Sequence, residues 1–165
     1  MAFGKFGRYY PDGIDVRSTR FELVALLRTE VDELARGAGA AHQLRFESNA
    51  AACPIETDRQ HVRYIVVNLL QNAVKYSEPG AEVVLDLCVD ADGIRLRVSD
   101  QGIGVPDDEV AALFSPFYRA SNVATRPGTG MGLAIVKKSA SLIKASVDVH
   151  TTVGEGTAFT VSLPR

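Results

Sequence analysis

From Asp58 to Tyr76 the apolar residues Val62, Ile65, Val66, Leu69, Leu70 and Ala73 recur at i, i+3 and i+4, the period of a helix with one wholly apolar face. Such a face requires a partner layer of comparable breadth. Strand patterns supply it. EVVLDLCVD (82–90) and IRLRVSD (94–100) flank Ala91-Asp92-Gly93, and SVDVHTT (146–152) and AFTVSLP (158–164) flank Gly154-Glu155-Gly156, each an antiparallel hairpin signature. Shorter strands are expected at 44–48 and 53–57, and helical patterns at 21–36, 107–114 and 132–145. For the first of these, Thr19 and Glu22 fit a reciprocal cap and Gly37 a stop. The fold class that follows is α+β, a two-layer α/β sandwich with a mixed, mostly antiparallel sheet against three main helices.

At 165 residues and 46% apolar, the chain can bury one ordinary core. The division expected is a tail or linker over 1–18, where FGKFGRYYPDG has no period, and one domain over 19–165. A formal net charge of −2 with intermixed signs gives no basic face for DNA or RNA. No run approaches the roughly 18 apolar residues of a membrane span, and no signal peptide pattern opens the chain. The expectation is a cytoplasmic domain that makes no membrane contact. Cys53 and Cys88 lack metal-type spacing and are expected to be reduced thiols.

Polar residues on the long helix are the first chemical signal. At about 100° per residue, Asn68, Asn72 and Lys75 form a stripe roughly 120° from the centre of the apolar face, along the edge of the core. Two carboxamides one turn apart can offer oxygen to a hard cation such as Mg²⁺, whose remaining ligands come from water and substrate phosphates, and a lysine adds positive charge. Alone, the stripe reads better as the ordinary solvated flank of an amphipathic helix. Two glycine clusters change that balance. Asp100-Gln101-Gly102-Ile103-Gly104 follows a strand; its glycines allow close approach to a flat ligand, and the carboxylate can accept from an exocyclic amine. Gly128-Thr129-Gly130-Met131-Gly132-Leu133 opens into a helix, leaving amides free for phosphate oxygens at a positive helix end. Neither the P-loop nor the dinucleotide fingerprint matches its spacing.

In order, NLLQNAVKYS, DQGIGVP, LFSPFYRA and GTGMGLAIVK resemble the N, G1, F and G2 boxes of the ATP-binding catalytic domain of two-component sensor histidine kinases. That family is related to the ATPase domains of gyrase and the heat-shock chaperone, and its fold is the Bergerat type. The resemblance covers Asp58 to the chain end. It implies ATP and Mg²⁺ as cofactors, with Asn72 as the principal metal ligand and Asn68 beside it, Lys75 near the phosphates and Tyr76 against the adenine or ribose. Asp100 would bind the adenine amine in a pocket shaped by Gly102, Ile103 and Gly104 and supported by Thr157. Phe114, Phe117, Tyr118 and Arg119 would belong to the F box, Ser115 to Thr129 would form a lid, and Gly128, Thr129, Gly130, Met131, Gly132 and Leu133 would hold the triphosphate.

The sequence departs from the family pattern in places. Ile143-Lys144-Ala145 stands where His-Gly-Gly is usual, and Met131 where leucine is. None of His42, His61 and His150 precedes an acidic residue, so no phosphoacceptor motif is present, and His61, in the first turn of the long helix, is expected to be exposed. Hydrolysing relatives carry a glutamate at the position of Asn68; an amide cannot deprotonate water, so net hydrolysis should be slow. The reading is therefore a kinase catalytic domain that transfers the γ-phosphoryl group to a histidine on a separate dimerisation domain, with a response regulator downstream and no proton-transferring residue of its own. The rival readings are a free-standing serine kinase of the anti-sigma-factor type and a non-catalytic nucleotide-binding module.

Overall fold

The long apolar-faced helix is anchored at its start by an aspartate. Asp58 Oδ1 accepts from the amides of Gln60 (2.9 Å) and His61 (3.1 Å), and Oδ2 from the amide of Arg17 (2.7 Å), satisfying donors that a helix start leaves orphaned. The computed structural model describes residues 16–123 and 126–164. Along the chain come β1 (Thr19–Glu22), α1 (Leu23–Arg36), β2 (Gln43–Ser48), β3 (Pro54–Thr57), α2 (Arg59–Tyr76), β4 (Glu82–Asp90), β5 (Gly93–Asp100), α3 (Gly132–Leu142), β6 (Ser146–Thr152) and β7 (Gly156–Leu163). Of the expected tail, residues 1–15 lie outside the described residues.

The main sheet has five strands in the order β2-β4-β5-β7-β6. β2 runs parallel to β4, and the other pairs are antiparallel. Strand alternation sorts the two faces. Val83, Leu85, Leu87, Leu96, Val98 and Val161 are buried against the helices, together with Ile65, Val66, Leu69 and Leu70 of α2. Each such aliphatic contributes about 1.5–3 kcal/mol by leaving water. On the opposite face Asp86, Arg97, Thr160 and Asp148 lie in one row across four strands. The two-layer sandwich and mixed, mostly antiparallel sheet expected from the sequence are the observed architecture.

Four local expectations are corrected. Thr19 does not cap a helix: Thr19–Glu22 is extended and pairs with β3, Thr19 opposite Thr57 and Glu22 opposite Pro54. Glu22 is itself the cap of α1, its Oε1 accepting from the amides of Val24 (3.0 Å) and Cys53 (2.7 Å). The helix expected at 107–114 is a 3₁₀ segment, Asp107–Ala112. The helix expected to reach 145 stops at Leu142, where Lys144 turns left-handed (φ 59°) and the Ala145 amide reaches back to the Ala140 carbonyl (2.8 Å), a closing turn that normally uses glycine.

His61 is buried, not exposed. It is 4% accessible, because α3 packs over the first turn of α2. Its Nδ1 lies 3.3 Å from Ser139 Oγ, and its ring meets Tyr64 edge-on at 5.8 Å. Cys53 and Cys88 are free thiols. Among the described residues no helix is long and apolar enough to cross a membrane.

Candidate functional site

The polar stripe of α2 faces the glycine-rich start of α3. Asn68 Nδ2 donates to the Tyr64 carbonyl (2.7 Å), which engages its nitrogen and turns Oδ1 away from its own helix. A Cβ on Gly132 would lie 3.3 Å from Asn68 Oδ1 and 3.6 Å from Asn72 Oδ1, so both carboxamides converge beside the backbone of Gly132. Between them and the sheet is a cavity of about 340 Å³, within the size range of small-molecule sites.

Asp100, the last residue of β5, lines this cavity. Burial pushes its pKa up to about 6, against the opposing hydrogen bonds from the backbone of Gly102 and Thr157; the Gly102 amide donates to Oδ1 at 2.8 Å. Gly102 itself is not on the cavity surface. It brings the turn against α2, where a Cβ would come within 2.4 Å of the Tyr76 carbonyl oxygen, and the Ile103 amide donates to that same carbonyl (3.1 Å). Met131, within the second glycine cluster, is buried and also lies off the cavity. Asn68, Asn72, Lys75, Tyr76, Ile103, Gly104, Tyr118, Arg119, Gly128, Thr129, Gly130, Gly132, Leu133 and Thr157 line it with Asp100.

The segment between the glycine clusters forms one wall. Phe114 meets Phe159 edge-on (6.2 Å), with the Lys137 ammonium 5.8 Å from the centre of its ring. The Tyr118 hydroxyl donates to Glu109 Oε2 (2.6 Å), which with burial raises its pKa to about 12. Hydrogen bonds from Ser121 and Tyr118 hold the Glu109 carboxyl below its ordinary value. Phe117 is 60% exposed and left-handed (φ 64°), its amide donating to the Gly130 carbonyl (3.1 Å). Arg119 donates through Nη2 to the Val123 carbonyl (3.1 Å) and to the Arg126 carbonyl. Its Nε–H is buried without a hydrogen-bond partner among the described residues.

These groups fit a polyanion carrying a hard cation. An unsatisfied guanidinium N–H and the Lys75 ammonium offer positive charge, and two carboxamide oxygens offer hard ligands. No group of three or more His, Cys, Asp or Glu side chains suited to a metal occurs among the described residues, so a cation here would take its other ligands from water or the polyanion. Sequence reasoning missed Gln71, Val105, Leu113, Ala120, Val123 and Phe159, which also line the cavity. Most are apolar and carry no chemical signature; Gln71, between the two asparagines on the helix, was findable from its spacing.

Comparison with known proteins agrees with this arrangement. Residues 57–165 match the family described as histidine kinase-, DNA gyrase B-, and HSP90-like ATPase. The circadian input-output histidine kinase CikA of Synechococcus elongatus is 37% identical over 124 residues, 74% of this chain and 16% of CikA. The chain thus spans about a sixth of that relative. A solved mycobacterial sensor histidine kinase, MprB, aligns with a TM-score of 0.77 at 25% identity, over 90% of this chain and 97% of the solved one. Full-length ShkA, solved in complex with AMPPNP, aligns with a TM-score of 0.81 at 26% identity, over 96% of this chain and 33% of ShkA. With the family model spanning Thr57 to Arg165 and the four boxes gathered at one cavity, the chain belongs to the histidine kinase-, DNA gyrase B- and HSP90-like ATPases, as an ATP-binding catalytic domain of the sensor-histidine-kinase kind.

Proposed function

We propose that this domain binds Mg–ATP in the cavity between α2 and the two glycine turns and donates the γ-phosphoryl group to a histidine on a separate dimerisation domain. The observation that carries the reading is the convergence of Asn68, Asn72, Lys75, Arg119 and Asp100 on one cavity. The AMPPNP bound to ShkA supports the ligand class. Asp100 accepts the exocyclic amine of adenine, and Ile103, Gly104 and Thr157 shape the space around the base. Asn72 and Asn68 would hold Mg²⁺ through their carboxamide oxygens, and the metal would supply neutralisation of phosphate charge. Lys75 and Arg119 add fixed positive charge, and the amides of Gly128, Thr129, Gly130 and Gly132 at the start of α3 receive phosphate oxygens.

What these residues contribute is position and charge for transfer through a loose transition state. No carboxylate occupies position 68 to activate water, so transfer to an external nucleophile is favoured over hydrolysis. A response regulator would be the downstream acceptor, and residues 19–165 would form the catalytic unit. Incubation with γ-labelled ATP, Mg²⁺ and a purified histidine-bearing dimerisation domain tests this directly. Acid-labile label on the histidine is expected; acid-stable label on serine, or none despite bound nucleotide, would replace the proposal with one of the rival activities.

A further inference from the structure

The carboxyl end of α2 has no glycine cap. Its closing residue, Ser77, is extended (φ −110°, ψ 158°), while a helix leaves its final carbonyls without intrahelical partners. Those carbonyls are taken by other groups. Ser77 Oγ donates to Ala73 O (2.6 Å), Arg126 Nη1 to Lys75 O (2.6 Å), and the Ile103 amide to Tyr76 O (3.1 Å). Two adjacent carbonyls thus hold the two loops that flank the cavity, and Lys75 and Tyr76 are also cavity residues. The Ile103 contact belongs to a turn already fixed by Asp100. On the other side Arg126 supplies the hydrogen bond to the end of α2, while the Phe117 amide holds the Gly130 carbonyl from the wall of the cavity.

Arg126 is tied in both directions. Its Nη2 pairs with Glu78 Oε1 (2.6 Å), its amide donates to Val123 O (2.9 Å), and its carbonyl accepts from Arg119 Nη2. Two residues later the chain crosses Lys75 so closely that a Cβ on Gly128 would lie 1.9 Å from Nζ. The geometry points to Arg126 as a positioning residue: its guanidinium pins residues 126–130 across the end of α2, holds Gly128 over the Lys75 ammonium, and sets how long a bound nucleotide is retained. The inference rests on reading the cavity as a nucleotide site. A planar guanidinium reaches a carbonyl and a carboxylate together, and a cation complements the negative end of a helix. The Glu78 side chain is 77% exposed against 25% for Arg126, so the carbonyl contact carries more of the attachment than the screened ion pair.

The test is displacement of a fluorescent ATP analogue from the Mg²⁺-loaded domain, followed by stopped flow, for wild type, Arg126→Ala, Arg126→Lys and Glu78→Gln. Loss of a charge-assisted hydrogen bond predicts an off-rate about tenfold higher for Arg126→Ala, with the on-rate within about twofold. Arg126→Lys, keeping one contact, should fall between, and Glu78→Gln should change the off-rate by less than about threefold. A wild-type protein that binds, beside an Arg126→Ala off-rate within about twofold of it, overturns the role of Arg126. A wild type that binds no analogue overturns the nucleotide reading instead. In that case amide hydrogen exchange of the ligand-free protein decides the latch. Faster exchange at Gly128 to Gly130 in Arg126→Ala, with α2 and the sheet unchanged, sustains it, and identical exchange removes it.

Discussion

Asp100 is where the chemistry of a single side chain is most exposed to test. Its pKa is raised by burial to about 6, so folding favours the protonated form relative to the unfolded chain. The stability this group adds is fully present below its ordinary value of 3.8 and is lost as pH rises to about 6. Denaturation midpoints of wild type minus Asp100→Asn should therefore fall across that window and be flat above it. Adenine binding runs the other way, since the ionised carboxylate is the better acceptor of the amine proton. ATP affinity should weaken as pH falls through 6 in wild type and lose that dependence in Asp100→Asn, which should also discriminate less between ATP and GTP. At Asn72, replacing the neutral amide by a carboxylate beside the phosphates should make binding more dependent on Mg²⁺, on the order of tenfold for Asn72→Asp in paired titrations. Polar residues of this kind were legible in the sequence because amides and a lysine at helical spacing, and a carboxylate before a glycine turn, are chemically conspicuous. Val105, Leu113 and Phe159 were not, since an apolar cavity wall and an apolar core look alike along a chain.

Among the elements, α2 was readable from its own period, and its boundaries fall where Asp58 caps it and Tyr76 ends it. β1 was not readable. The residues Thr19 to Glu22 carry a helix-start pattern, and what makes them a strand is the ladder with Pro54–Thr57 more than thirty residues away. His61 misled for a related reason: its burial is decided by α3, not by its own helix. The end of α3 carries a cost that can be removed. Lys144 holds a left-handed backbone (φ 59°) at a position where glycine is free of the Cβ clash. Lys144→Gly should stabilise the fold by about 1 kcal/mol, the left-handed penalty less the entropy glycine adds to the unfolded chain, as a shift of the urea midpoint without a change in slope.

For the whole molecule, the sandwich provides the floor of the cavity while the residues that line it are spread over α2, the turn after β5, the segments flanking the second glycine cluster and β7. The fold class followed from alternating helix and hairpin patterns. The mixed sheet order, with β2 parallel beside β4, is a topological outcome that no single segment encodes. Because the cavity lining joins elements far apart in sequence, a ligand bound there should stabilise the domain as a unit. At a hundredfold excess over Kd, Mg–ATP should contribute about 2.7 kcal/mol, a rise in Tm of roughly 5–10 °C for a domain of this size. The central claim is tested most directly by calorimetric titration of the domain with ATP, with and without Mg²⁺, against GTP. One ATP per chain, tighter with Mg²⁺ and about tenfold or more weaker for GTP, is the result predicted; an absence of saturable heat, or equal binding of the two nucleotides regardless of metal, would contradict it.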